Sequence, residues 1–585
     1  MSIHALQLAR TALVLLFAIV LTACGGGGVV NVDPSKSAVS TTNLRALPAE
    51  YMARKAVAYS PFRSNNRDTE VITEAMVRED LDLLIEGKFR LIRLFDSSDK
   101  VAKLVLDIIA DNDLDMKVQL GSYPLSYRFE PNPYKVEATK AFNMQELDRQ
   151  IALANNPKYS DIILALSVGN ETMVSWSPVP IEQAVMAGYI RYVRDRTTLP
   201  VTTDDDYDFF AVPPKRITDE IDFVAMHTYA NIYTKFPDGP LYWDWKQEGV
   251  AAGPARAVAM MDEAIVQTRR RFQDVRNALD NNGLHAMPIA ITENGWNAVD
   301  LGEQGFRAHP ANQKMYVSRL DALRTDGRLG NGPVNIFYFE AFDEPWKRGD
   351  DGWGLFTVDR KARYVVQNLY PPAKWDTTFT DADAVFYSPP VARPAFTGNQ
   401  YTIFSEAAGA VNQTGLSLDL FEPGIVALAD VNTTSAPGDA STSIEIMPNP
   451  KNYGWGFLYQ GAVDPATKMR PTENLSEFEA TGRLNISIKT AYPGKIEIGL
   501  STDTELGVTQ EVFLQIGNGD YGYCNTDTWC QVSIPLQAFK AKNPKIDFSL
   551  MKVRLFVADR YPETGKPLDS DIRTKLNIDG MYYSR

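Results

Sequence analysis

Basic charge is the minority sign in this 585-residue chain: 59 Lys and Arg stand against 73 Asp and Glu, a formal net charge of -14, with no Lys- or Arg-rich run. That balance disfavours nucleic acid and other polyanions, and leaves neutral or cationic substrates open. Histidine is scarce as well. The four residues His4, His227, His285 and His309 are too widely spaced for a His-rich metal centre. Cysteine occurs three times, one too many for complete pairing. The most apolar run, residues 11 to 23, is too short to span a bilayer comfortably.

What is present begins with that run. After a weakly basic start (Arg10) it reads as an export signal rather than a fold element, and "LTAC" at 21 to 24 resembles a bacterial lipobox, in which Cys24 becomes the lipidated first residue. The four glycines that follow, and the Ser/Thr/Pro-rich stretch beyond them, read as a flexible tether. Gly25 after the cysteine, rather than Asp, points to the outer membrane of a bacterial envelope. With Cys24 assigned to lipid, Cys524 and Cys530 in "YCNTDTWC" remain as a short-loop disulfide.

From about 51 to 369 short apolar runs alternate with longer amphipathic segments, the rhythm of repeated βα units. Candidate strands at 55–60, 90–95, 116–121, 162–169, 200–205, 222–229, 288–295 and 334–342 make eight, which matches an α/β (β/α)₈ TIM barrel. Function in such a barrel sits where the strands end. Those ends carry Tyr59, Arg93 with Asp96, Tyr123, Asn170 with Glu171, Asp204, His227 with Tyr229, Glu293 with Trp296, and Glu340 with Asp343. Beyond a Pro-, Asp- and Thr-rich joint the pattern turns to period-two alternation, which predicts an all-β sandwich (jelly roll). The expected organisation is therefore 1–24 signal and lipobox, 25–50 tether, 51–375 barrel, 376–398 linker and 399–585 sandwich.

Glu171 and Glu293 each close an apolar strand, the fourth and the seventh, and these ends face one another across a barrel mouth. Glycoside hydrolysis needs such a pair: one carboxylic acid protonates the leaving oxygen while one carboxylate attacks the sugar carbon or activates water. Asn170 is placed to hydrogen-bond a sugar 2-hydroxyl, and Tyr229, Trp296 and Trp346 offer faces on which pyranose rings stack. Singly, each residue reads equally well as packing or as a solvated turn.

The ordered set "AVAYSPFR", "IRLFDSSD", "LSVGNE", "AMHTY", "ITENGW" and "FYFEAFDEPWKRGDDGWGLF" resembles the bacterial and fungal branch of glycoside hydrolase family 17, β-1,3-glucanases and β-1,3-glucan transglycosylases. The resemblance implies a retaining double displacement with Glu171 as acid/base and Glu293 as nucleophile, no catalytic cofactor or metal, and a β-glucan substrate. It also implies that Tyr59, Arg93, Asn170, His227, Tyr229 and Trp296 line the substrate site, with Glu344, Trp346 and Lys347 beside them and Glu340 beneath. Two segments depart from the family pattern, "GWNAVD" after the nucleophile and "HTYANIYTKF" after the sixth strand, and they bear on subsite preference. The C-terminal part resembles the galactose-binding-like jelly rolls attached to carbohydrate-active enzymes, which often bind glycan, sometimes with a structural calcium. Tyr453, Trp455, Tyr521 and Tyr523 are its candidate contacts. The aromatic insertion at 231–253 reads as a wall of the cleft or an outer sugar platform. A monomer is expected. Two other readings predict different products from laminarin-type oligosaccharides: a glucanosyltransferase makes longer chains, and a non-catalytic glycan-binding lipoprotein makes none.

Overall fold

A computed structural model of the chain describes residues 44–585 apart from 129, 131, 178, 236–241, 300–306, 329–331, 348–351, 389–392, 423–424, 432–433, 440–441, 449–453, 463–469, 506–507 and 561–573. The signal, Cys24 and most of the tether lie outside the described residues, as do Tyr453 and part of the 231–253 insertion. The described residues divide into two units that meet between Tyr387 and Ser388.

The first unit is a closed barrel of parallel strands: β1 (Lys55–Ala58), β2 (Phe89–Leu94), β3 (Lys117–Ser122), β4 (Ile163–Asn170), β5 (Val201–Asp206), β6 (Val224–His227), β7 (Ile289–Asn294) and β8 (Ile336–Tyr338), with β8 pairing back onto β1. Every strand end named from the sequence falls at the C-terminal mouth. Helices between strands show the expected apolar stripe. In Glu74–Glu86 the Thr73 side chain caps the Met76 N–H, and Val77, Leu81 and Leu84 are buried at helical spacing.

The opposite end of the barrel is closed by the last residues of the expected tether together with the first of the expected barrel. Arg45 donates to Asp222 Oδ1 (2.9 Å) and to the Leu199 carbonyl (2.9 Å), and a short helix, Ala49–Ala53, delivers Tyr51 into the barrel floor. There Tyr51 meets Phe223 and Phe337 edge-on or tilted at 5.7 Å, and Ala56, Ala165, Ala225 and Ala290 cluster with it. Small residues at inward positions leave room for the ring, and a Tyr whose hydroxyl finds Gln119 Oε1 (2.7 Å) fills it without an orphaned polar group. At the other boundary, part of the expected linker packs on the barrel: Tyr387 accepts from Arg256 Nη1 (2.8 Å) and its ring meets Trp245.

The second unit is antiparallel throughout. One sheet follows the order β10 (Leu416–Glu422), β13 (Gly454–Gly461), β18 (Met551–Arg560), β15 (Ile496–Glu505), β16 (Val508–Ile516). The other follows β11 (Ile425–Val431), β12 (Ser443–Pro448), β19 (Leu576–Ser584), β14 (Arg483–Thr490), β17 (Trp529–Pro535), with β9 (Gln400–Phe404) added on β19. Their apolar side chains make a main core, with a smaller cluster of Leu458, Val553, Phe556 and Ala558 on β13 and β18. Trp455 and Tyr523, expected to contact glycan, belong to the main core: Trp455 is fully buried against Tyr492, and Tyr523 is 1% exposed. Both stand among the inward-facing set of a two-layer sandwich, which sequence alternation alone does not separate from an outer binding face. Tyr521 is exposed. Cys524 and Cys530 form the disulfide, with Cα atoms 5.9 Å apart.

Candidate active site

Strand β4 is apolar and buried until Gly169, and the two residues that follow turn the chain into the mouth. Gly169 has φ 86° and Glu171 φ 51°, so the acidic residue itself sits in the left-handed region, a conformation that costs a non-glycine residue on the order of 1–2 kcal/mol. The turn repays this with position: the Glu171 N–H bonds to the Asp204 carbonyl (2.9 Å), and its carboxylate oxygen lies 2.9 Å from His227 Nδ1.

Glu293, at the end of β7, is 5% exposed and held from two sides. Arg93 Nη1 donates to Oε1 (2.5 Å) and the Tyr229 hydroxyl to Oε2 (2.6 Å). Burial pushes its carboxyl up, but the charges of His227 and Arg93 and the Tyr229 and Arg93 hydrogen bonds outweigh that and hold it below its ordinary value. His227 links the two carboxylates, its Nδ1 also lying 3.6 Å from Glu293 Oε2. Burial pulls the imidazole down, yet Glu293, Asp204 and Glu171 carry it to about 10, so it is an imidazolium at neutral pH.

Under this layer lies a third carboxylate, Asp204. It pairs with Arg93 Nε (3.2 Å), accepts from Gln119 Nε2 (3.2 Å) and Ser167 Oγ, and lies 3.6 Å from His227 Nε2. Burial opposes its ionisation, but Arg93 and His227 bring it to about 2. Arg93 completes its fork by donating Nη2 to Asn170 Oδ1. One guanidinium thus spans Glu293, Asp204 and Asn170, the planar multi-donor geometry a lysine cannot reproduce. Next along β5, Asp205 is buried among three backbone N–H donors; burial raises it to about 7 despite them.

Glu340, Glu344 and Lys347 form a separate cluster on the β8 side. Lys347 Nζ reaches Glu340 Oε2 (2.7 Å) and Glu344 Oε2 (2.5 Å). Burial drives Glu340 well up, while Lys347 outweighs burial at Glu344 and lowers it to about 2. Lys347 also stands over the Phe339 ring (4.3 Å), and Phe339 meets Tyr229 edge-on at 5.9 Å, joining this cluster to the Glu293 side. Trp346 is half-buried, with its indole N–H on Glu344 Oε1 (3.0 Å) and Arg67 stacked on its ring.

Two expected substrate contacts face elsewhere. The Tyr59 hydroxyl donates to Asp80 (3.1 Å), a buried acid paired with Arg360 and Arg63. Trp296 is fully buried against Tyr316, and its N–H is bonded to the Arg307 carbonyl. The reason lies one residue earlier, where a Cβ on Gly295 would stand 2.2 Å from the Phe339 carbonyl oxygen; the chain passes so close to β8 that the indole turns outward into the helix layer. Trp243 and Trp245 of the 231–253 insertion are buried too, which makes them packing residues rather than sugar platforms. Sequence reasoning passed over Gln119, Ser167 and Asp205. The polar residues inside β3 and β4 and the run of three aspartates closing β5 are the signals that mark them.

Glu171, His227 and Glu293 offer atoms within 4.8 Å of one another, close enough for a metal ion. Against known proteins, a family model described as the BtgE/BtgC glycoside hydrolase domain matches residues 56–356, just over half of the chain and all eight barrel strands. The chain belongs to this family. Around the BtgE/BtgC domain, a second model, carbohydrate binding domain 30, matches residues 401–568. The barrel is similar to the probable glucan endo-1,3-beta-glucosidase btgC of Aspergillus clavatus, 24% identical over 294 residues, which is 46% of this chain and 36% of that protein. A glucan 1,3-beta-glucosidase of Arthroderma benhamiae is 37% identical over 89 residues, 13% of this chain and 27% of that protein. The chain thus spans about a third of the length of these relatives or less. Among solved structures, an endo-laminarinase from Formosa Hel1_33_131 aligns at TM-score 0.47 and 22% identity, over 54% of this chain and 86% of that one.

Proposed function

We propose that this BtgE/BtgC barrel cleaves β-1,3-linked glucan by a retaining double displacement, with Glu293 as nucleophile and Glu171 as acid/base. The observation that carries the reading is the pair itself: carboxylate oxygens within 4.8 Å, one residue locked and held ionised by Arg93, Tyr229 and His227, the other half-exposed on a turn. Retaining enzymes keep their carboxyl groups about 5–5.5 Å apart and inverting ones about 6.5–9.5 Å, and the short spacing favours the first. The substrate class follows the names of the relatives.

In the first step a Glu293 oxygen bonds to the anomeric carbon as the glycosidic C–O bond breaks, and the Glu171 proton goes to the leaving oxygen. In the second, Glu171 takes a proton from water, the hydroxide oxygen bonds to the same carbon, and the Glu293 ester breaks. With Asn170 Oδ1 committed to Arg93, the donor end of that amide is the end that serves a sugar 2-hydroxyl. Glu293→Gln, incubated with linear laminari-oligosaccharides, loses turnover and keeps sugar binding; full activity in that variant refutes the nucleophile assignment. Longer products from the unmodified protein identify the transferase reading.

The C-terminal unit, matched by carbohydrate binding domain 30, binds glycan in this reading. A structural calcium in that unit is part of the proposal. A chelator-sensitive unfolding temperature of that unit tests it. Cys24 supplies the lipid anchor that makes the protein an outer-membrane lipoprotein.

A further inference from the structure

We infer that Asp205 is a positioning residue for the acid/base: it fastens the left-handed turn that presents Glu171. The inference rests on the proposed role of Glu171 and goes beyond it. Asp205 is fully buried at the end of β5 and accepts from Met173 N–H at Oδ2 (2.8 Å), from Val174 N–H at Oδ1 (3.2 Å) and from Asp206 N–H at Oδ1 (2.9 Å). Two of these donors belong to the residues two and three places after Glu171. The preceding strand residue contributes as well, since the Asp204 carbonyl takes the Glu171 N–H (2.9 Å). The β5 terminus therefore grips the β4 turn on both sides of the Glu171 side chain.

The Ser177 hydroxyl holds the Glu171 carbonyl (2.5 Å), and Asp205 holds the two N–H groups that come next in the turn. Glu171 has φ 51°, and a turn held there against its own preference relaxes when the acceptor of its N–H groups is withdrawn. Val174 is buried, so its N–H has no water to turn to. A relaxed turn moves the Glu171 carboxyl away from the leaving oxygen, while Glu293, held by Arg93 and Tyr229 on other strands, stays where it is. Loss of Asp205 should then damage proton donation and spare nucleophilic attack.

The experiment compares kcat/KM for a laminari-oligosaccharide, whose sugar leaving group needs a proton, with that for a 2,4-dinitrophenyl β-glucoside, whose leaving group does not. Asp205→Ala and Asp205→Asn are assayed beside Glu171→Ala, with the unfolding temperature of each. The expected result is a fall of about 10- to 100-fold on the oligosaccharide in the Asp205 variants and a change of less than about 3-fold on the aryl substrate. Asp205→Asn keeps the volume and decides the matter where the Ala variant does not fold. An equal fall on both substrates in a folded variant, or no fall on either, overturns the inference. A Glu171→Ala enzyme that fails to show the split overturns the assignment of the acid/base instead.

Discussion

Arg93→Met tests the electrostatic account of the nucleophile most directly. The guanidinium is 1% exposed and touches two buried carboxylates, Glu293 at 2.5 Å and Asp204 at 3.2 Å, so its removal strands both. Breaking a buried pair by deleting one partner costs about 3–5 kcal/mol, which for a domain of this size lowers the unfolding temperature by roughly 10 °C. The second consequence is specific to chemistry. An opposite charge at this distance lowers a carboxyl by about 1–3 pK units. The acid limb of kcat/KM, which reports the nucleophile in the free enzyme, should climb by about that much. His227 limits the shift, because it faces the same carboxylate and keeps its charge. Arg93→Lys separates charge from geometry: the limb stays near its original place, while kcat falls because one ammonium cannot serve Glu293, Asp204 and Asn170 together. The assays are the pH profile on laminari-oligosaccharides and calorimetry. An Arg93→Met enzyme whose acid limb does not move refutes the claim that this guanidinium keeps Glu293 ionised, whatever happens to its stability.

Stability should follow pH in a way set by the buried groups. Asp204, lowered to about 2, contributes stability above about 3.8 that is lost as pH falls through 2. Asp205, raised to about 7, and His227, raised to about 10, each favour the folded state while protonated; the first contribution is lost between about 3.8 and 7, the second between about 6.5 and 10. The barrel should therefore be most stable near pH 4, and a maximum above pH 8 contradicts these shifts. Trp296→Ala should lower the unfolding temperature by an amount equal to about 3–5 kcal/mol without raising KM, whereas Trp346→Ala should raise KM several-fold with little thermal cost. The reverse pattern would return Trp296 to the cleft. Cys24→Ala should move the protein from the membrane fraction to the soluble one, and persistent membrane association counts against the lipid anchor.

The barrel was legible because its strands are short apolar runs at regular spacing, and β4 and β7 end on the two carboxylates of the proposed pair. Glu171 and Glu293 could be paired from order alone, since strand number fixes which ends face each other. Direction of side chains was not legible. Trp296 follows the nucleophile immediately in the motif, yet Gly295 brings the backbone so close to β8 that the ring leaves the mouth; only the path of two strands in space decides that. Tyr59 stands at a strand end as expected, and a buried aspartate on the neighbouring helix claims its hydroxyl. The layer under the catalytic pair was hidden for a different reason. Gln119 and Ser167 look like single polar interruptions in apolar strands, and their meaning comes from Asp204, which no periodicity connects to them. In the second unit the alternation gave the strands but not which face was inward, and so Trp455 and Tyr523 were misplaced.

The Tyr51 plug gives the molecule a direction. Residues 44–54 enter at the floor of the barrel, and the catalytic pair opens at the other end, a full strand length away. Any attachment made upstream of residue 44 therefore reaches the barrel through its floor. Because the same tyrosine is bonded through Gln119 to Asp204, pulling on that attachment loads a hydrogen-bonded column that ends at the nucleophile. A form held from upstream of residue 44 would be held at the end of the barrel remote from Glu171 and Glu293.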